Sequence, residues 1–191
     1  MKGSYVFLAD GFEEIEALAT VDILRRAGID AETVSIDEEG FVSGAHGITV
    51  TVDRIWPELL ADLRLEDTEK EDLMVFPGGM PGAKNLSEQP DLMAIAQRHF
   101  DEGGTIAAIC AAPGVVVSKL NGVAGKKATC YDGFEGLMQQ AGMVYEKAPA
   151  VTDGNLITGR GPGCAVDFAL AIVESVCGKE KADALRAGMM I

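Results

Sequence analysis

Histidine is nearly missing from this chain: His46 and His99 are the only two in 191 residues. With so few, and with no C-x-x-C pair among Cys110, Cys130, Cys164 and Cys177, no metal site is expected. Basic residues are also short, 16 against 30 acidic ones, for a formal net charge of −14. Such a surface repels phosphate, so binding to nucleic acid is not expected. No segment approaches the ~18 consecutive apolar residues of a membrane span. The first apolar run, Tyr5 to Ala9, is too short for a signal peptide and passes straight into Asp10-Gly11. These absences lead to the expectation of a cytoplasmic protein whose cysteines are free thiols. No G-x-G-x-x-G follows the first strand, so no dinucleotide and no other cofactor is expected.

What the chain does contain is an alternation of short apolar runs and amphipathic stretches. Strands are predicted at Ser4–Ala9, Ala31–Ile36, Leu73–Phe76 and Thr105–Ile109, with a shorter one at Lys127–Thr129 and a Val151–Thr158 segment that turns at Asp153-Gly154. Helices are predicted over Glu13–Arg26, Pro90–Asp101, Ala111–Lys119 and Phe134–Gln140. A long helix follows the Arg160-Gly161-Pro162-Gly163 turn to about Val176, and a short one covers Lys179–Ala187. The stretch from Gly40 to Val52 reads as a hairpin or edge excursion, and Asp62–Asp72 as a charged, solvated connection. No repeat or linker interrupts residues 1–191, so one domain is expected: a doubly wound α/β sandwich around a mainly parallel sheet.

In such sheets sites form beyond the carboxyl ends of the strands. Three loops leave strand ends there: Asp10 to Glu16, Pro77 to Gly82, and Ile109 to Gly114. The third has the build of a nucleophile elbow, a reactive side chain set in a tight strand-to-helix turn with small neighbours. Cys110 occupies it, where helix-N-terminal amides would favour the thiolate and make it the most reactive of the four thiols. The plainer reading is a small buried hydrophobe, a common fate of free cysteine. Cys177 lies in an apolar helix and is expected in the core. Glu13, Glu14 and Glu16 crowd a helix start, which dipole complementation alone would explain, yet one of them could turn inward toward a cysteine. Pro77-Gly78-Gly79 reads as a strand stop, or as a place where a backbone N–H can approach an oxyanion. Both histidines are expected at the surface, with His46 open to recruitment by a partner subunit.

Taken together these stretches resemble the ThiJ/PfpI family, in the branch of the Parkinson-disease protein deglycase and its bacterial relatives. The similarity runs through Ala9-Asp10-Gly11-Phe12-Glu13-Glu14-Ile15-Glu16, Asp22–Gly28, Phe76-Pro77-Gly78-Gly79, Ala83–Leu86, Ala107–Pro113 and Thr158–Gly163, in family order over almost the whole chain. The resemblance implies a flavodoxin-like sandwich and a homodimer. It implies Cys110 as the reactive cysteine, Glu16 as its hydrogen-bonded acid, and the N–H groups of Gly79 and Ala111 as oxyanion donors. It also implies glyoxalase-like or deglycase action on small reactive carbonyls such as methylglyoxal. Two alternatives are non-enzymatic: an oxidative-stress sensor working through Cys110 oxidation, or a chaperone-like protein. An intracellular cysteine peptidase is a more distant one. Many family members carry a histidine after the Lys-x-Thr strand, where this chain has Tyr131 following Cys130. That leaves no Cys–His dyad at this position, which counts against peptide hydrolysis and leaves Glu16 as the proton-handling group.

Overall fold

The computed structural model describes residues 1–63 and 66–191. Strand β1 (Ser4–Leu8) leads into helix α1 (Glu14–Ala27) and strand β2 (Ala31–Ser35). An excursion follows, with β3 (Phe41–Ser43), β4 (Thr49–Thr51), β5 (Arg54–Ile55) and α2 (Trp56–Asp62). The chain then makes β6 (Leu73–Phe76), α3 (Gly82–Ser87), α4 (Pro90–Asp101), β7 (Thr105–Ile109) and α5 (Ala112–Val115). It continues with β8 (Lys127–Ala128), α6 (Glu135–Gln140), β9 (Val144–Tyr145), β10 (Ala150–Asp153) and β11 (Leu156–Gly159). Helices α7 (Ala165–Cys177) and α8 (Lys179–Gly188) close it.

Seven strands form the central sheet in the order β10-β11-β7-β6-β1-β2-β5, parallel except for the β10–β11 hairpin. The run β11-β7-β6-β1 is fully buried at its centre, as parallel strands covered on both faces must be. Helices α1, α7 and α8 pack on one another, and α3, α4 and α5 form a second group against β1 and β7. Phe7 stacks on Phe76 at 5.5 Å and meets Trp56 edge-on at 5.9 Å, tying β1, β6 and α2 into one core. The ladder pairings β3–β4 and β8–β9 stand outside the main sheet as separate two-stranded units.

Several expectations needed correction. The single helix predicted over Ala111–Lys119 is an α-turn, Ala112–Val115, followed by a 3-10 turn, Val117–Lys119, because Pro113 and Gly114 sit inside it. Helices α2 and α3 were not anticipated; both are short and carry little periodic signal. The charged connection Asp62–Asp72 includes Arg64 and Leu65, which lie outside the described residues, and its first residue belongs to α2. Cys177 is exposed rather than core, since it closes the last turn of α7.

His99 is fully buried, not a surface residue. Its Nε2 meets the carbonyl of Thr105 at 3.1 Å and its Nδ1 lies 3.0 Å from the Met1 nitrogen. Gly104 lies directly against the ring, where any Cβ would come within 2.1 Å of it. Burial, reinforced by the neighbouring ammonium, pushes the imidazole down to about 4, so it is neutral at physiological pH.

Candidate active site at the carboxyl edge of the sheet

The parallel strands β1, β6, β7 and β11 all end at one edge, and each delivers one part of the site. β7 delivers Cys110, which has φ 66, in the left-handed region that a side chain disfavours. The conformation is held from two sides. Its N–H donates to the Gly159 carbonyl at the end of β11 (3.0 Å), and its carbonyl accepts from the Tyr131 N–H (2.8 Å). Small residues follow, Ala111 and Ala112, and both are buried. This is the strand-to-helix elbow anticipated from the sequence.

β1 delivers the first turn of α1. Glu13 caps it, its carboxylate accepting the Glu16 N–H at 2.7 Å. Glu16 is fully buried, and its Oε2 accepts the Gly78 N–H at 2.8 Å. β6 delivers Gly78 and Gly79. The Gly78 carbonyl also accepts the Glu13 N–H at 3.0 Å, so this one peptide segment is pinned to the α1 turn through both its polar groups. A Cβ on Gly78 would stand 2.6 Å from both Cys110 Cβ and Glu16 Oε2, and 3.0 Å from the sulfur. Glycine is required because the backbone packs against both the thiol and the carboxyl, leaving no room for a side chain. Gly79 has φ 85, and a Cβ there would collide with the Gly11 oxygen at 2.4 Å.

Burial raises the Glu16 carboxyl to about 7, a shift that its bonds to the Cys110 thiol and the Gly78 N–H only partly oppose. Its second oxygen, Oε1, is buried and meets no hydrogen-bond partner of ordinary geometry among the described residues. A carboxylate left so under-solvated is costly, which agrees with a carboxyl that keeps its proton into the neutral range. Burial also pushes the Cys110 thiol up, and the adjacent Glu16 pushes it further; the N–H groups of Gly79 and Ala111 pull the other way without winning. The amide donors expected from the sequence are in place beside the sulfur, while burial and Glu16 push the thiol in the opposite direction. Cys110 and Glu16 are a coupled pair that avoids becoming two adjacent anions.

The remaining residues fall around this pair. Tyr131 is half-exposed beside the elbow, and Cys130 is buried, its thiol pushed up to about 12 by burial and by the charges of Glu135 and Asp132. Cys164 is half-buried in the turn after β11. His46 sits at the tip of the β3–β4 hairpin and is exposed, but it is already engaged within the chain: Nδ1 lies 2.7 Å from Glu14 Oε2, and its backbone N–H donates to Glu14 Oε1 at 2.7 Å. Burial alone would raise the Glu14 carboxyl, yet the bonds from His46 and Ile48 hold it below the usual range. Sequence reasoning did not see this clamp, because its partners lie 32 residues apart. Glu13, Glu14 and His46 bring ligand atoms within 4.8 Å of one another, a spacing that could hold a cation. The Glu14 oxygens are already occupied by N–H donors, and the α1 N-terminus opposes positive charge there, so the group reads as the anchor of the hairpin.

The DJ-1/PfpI family pattern matches residues 3–175 of this chain. The protein dj-1beta of Drosophila melanogaster is 34% identical over 190 residues, covering all of this chain and 97% of the relative. The crystal structure of Drosophila DJ-1beta superposes with a TM-score of 0.88 at 33% identity, covering 100% of this chain and 99% of that one. A protein named glutathione-independent glyoxalase DJ-1, from Schizosaccharomyces pombe, is 32% identical over 184 residues, 94% of each chain. Protein DJ-1 homolog A of Arabidopsis thaliana is 33% identical over 92% of this chain, which spans only 43% of that longer relative. A family match over nearly the whole chain, a superposable flavodoxin-like fold and a cysteine elbow at the expected strand end agree with one another: the chain belongs to the DJ-1/PfpI family.

Proposed function

We propose that this protein is a cofactor-independent glyoxalase that converts small 2-oxoaldehydes to 2-hydroxy acids through Cys110 and Glu16. The observation that carries the reading is the fully buried Glu16 carboxyl, raised to about 7, against a cysteine in a left-handed elbow. A proton-transfer group is most effective when its pKa lies near the working pH. Relatives whose names include glutathione-independent glyoxalase support the same reading.

With Glu16 ionised, as a carboxyl raised to about 7 partly is at neutral pH, the sulfur adds to the aldehyde carbon while its proton passes to Glu16, so that no second buried anion forms. The N–H groups of Gly79 and Ala111 point at the sulfur, and in this reading they also receive the developing oxyanion, which takes the proton back from Glu16 to give a hemithioacetal. Glu16 then removes the hydrogen of the former aldehyde carbon as a proton and returns one to the neighbouring carbon. The result is a thioester of a 2-hydroxy acid, which water cleaves to release the acid and the free thiol. The aldehyde carbon is oxidised and the ketone carbon reduced, so no external redox partner is needed.

The deciding experiment follows methylglyoxal loss and lactate formation without added thiol. Wild type should form lactate, and Cys110→Ser should form none above the uncatalysed rate. Lactate formation that survives in Cys110→Ser would overturn the assignment. The reading extends to a homodimer assembled through α1, which would leave the site beside the interface.

A further inference from the structure

A second feature of the edge is a cleft of about 240 Å³ walled by Tyr131, Asp132 and the turn from Arg160 to Cys164. It adjoins the elbow by construction. Tyr131 donates its N–H to the Cys110 carbonyl, and the turn begins one residue after Gly159, which accepts the Cys110 N–H. The Tyr131 ring lies against Gly161, where a Cβ would come within 3.0 Å of Cδ2. With that side packed, 49% of the residue is still open to solvent.

The charge in the cleft is already spent. Arg160 Nη2 lies 2.7 Å from Asp132 Oδ1, so among the described residues the cation lining the cleft already has a carboxylate partner. Pro162, between two glycines, also lines the cleft. What remains is an aromatic face and an aliphatic ring, a lining that rewards a flat apolar group.

We propose that this cleft seats the substituent of the substrate and that Tyr131 makes the enzyme favour aryl 2-oxoaldehydes over methylglyoxal. The inference rests on the glyoxalase reading and specifies its substrate class. An aryl 2-oxoaldehyde plus water gives the aryl 2-hydroxy acid by the sequence above, phenylglyoxal giving mandelate. The aldehyde carbon bonds to Cys110, while the ring lies in the cleft against Tyr131. A methyl group in the same place leaves most of the aromatic face uncovered.

The test compares kcat/KM for phenylglyoxal and methylglyoxal in wild type, Tyr131→Phe and Tyr131→Ala. Wild type should favour phenylglyoxal, Tyr131→Phe should keep the preference, and Tyr131→Ala should lower the ratio roughly tenfold, as expected for one lost aromatic contact. The loss should fall mainly in the KM for phenylglyoxal, because Tyr131 binds the substituent and not the reacting carbons. A wild-type preference for methylglyoxal, or an unchanged ratio in Tyr131→Ala, would overturn the inference while leaving the glyoxalase reading intact. Absence of turnover with either aldehyde would defeat the glyoxalase reading, and binding then decides about the cleft. By calorimetry, mandelate should bind wild type more tightly than lactate and lose that advantage in Tyr131→Ala; equal binding of the two acids overturns the inference.

Discussion

At the scale of single residues, the site is built around one carboxyl that water does not reach. Glu16 is fully buried, is held by the Gly78 N–H, and keeps its proton to about pH 7. Glutamine in its place keeps the shape and can still accept the Gly78 N–H, but it cannot carry a proton. Glu16→Gln is therefore expected to lower methylglyoxal turnover by ~10²–10⁴, the usual range for loss of general acid–base catalysis. Steady-state rates at pH 7 measure this; a loss of less than threefold would show that Glu16 is a structural acid only. Gly78 was legible in the sequence as part of a strand stop or of a loop offering a backbone N–H to an oxyanion. Its role as the donor to Glu16 needed coordinates, because nothing in Pro77-Gly78-Gly79 says what lies across from it.

At the scale of elements, α1 has its amphipathicity reversed in the first two turns. Glu14 and Glu16 are buried, while Ile15 is 58% and Leu18 39% exposed. Glu14 faces the hairpin and Glu16 faces Cys110, which accounts for the buried acids. In the proposed homodimer these exposed aliphatics, with Ile48 of the hairpin beside Ile15, would meet a second copy of the chain about a two-fold axis. Because each change would enter such an interface twice, Ile15→Glu should shift the protein from dimer to monomer in sedimentation velocity at micromolar concentration. A wild-type monomer under the same conditions would remove the basis for the dimer. The elements themselves were largely readable, since β1, β6 and β7 are near-continuous apolar runs ended by Asp-Gly, Pro-Gly-Gly or the elbow. The hairpin anchor was not, because the pairing of Glu14 with His46 is a tertiary contact between residues that each look like ordinary surface. The same holds for Cys177 and His99: one sits on the outward side of a helix end, and the other is drawn inward by Thr105 and the Met1 amine.

At the scale of the whole molecule, two buried groups act on stability with opposite sign over the same pH range. Glu16 is raised to about 7 from an unfolded value near 4.5, so its contribution is full below pH 4.5 and lost as pH rises through 7. His99 is lowered to about 4 from 6.5, so its contribution is full above pH 6.5 and lost as pH falls toward 4. Between pH 4.5 and 6.5 the two slopes, each at most about 1.4 kcal/mol per pH unit, offset one another. Wild-type stability should therefore be nearly flat there. Glu16→Gln should be stabilised progressively as pH rises across the window, and His99→Gln should lose stability with rising pH. Urea denaturation at pH 4.5, 5.5 and 6.5 reads all three slopes, and parallel curves would show that neither group titrates differently on folding.

The φ of 66 at Cys110 has a consequence for how this sequence can drift. A side chain in that region costs about 1–2 kcal/mol that glycine avoids. Glycine at 110 would also end the crowding of the thiol against Gly78 and Glu16. Selection for persistence alone would push this position toward glycine, and only selection for what the sulfur does pushes back. A lineage that abandons the chemistry should lose Cys110 early while the surrounding scaffold lasts, and in such descendants position 110 becomes a record of when use of the site ended.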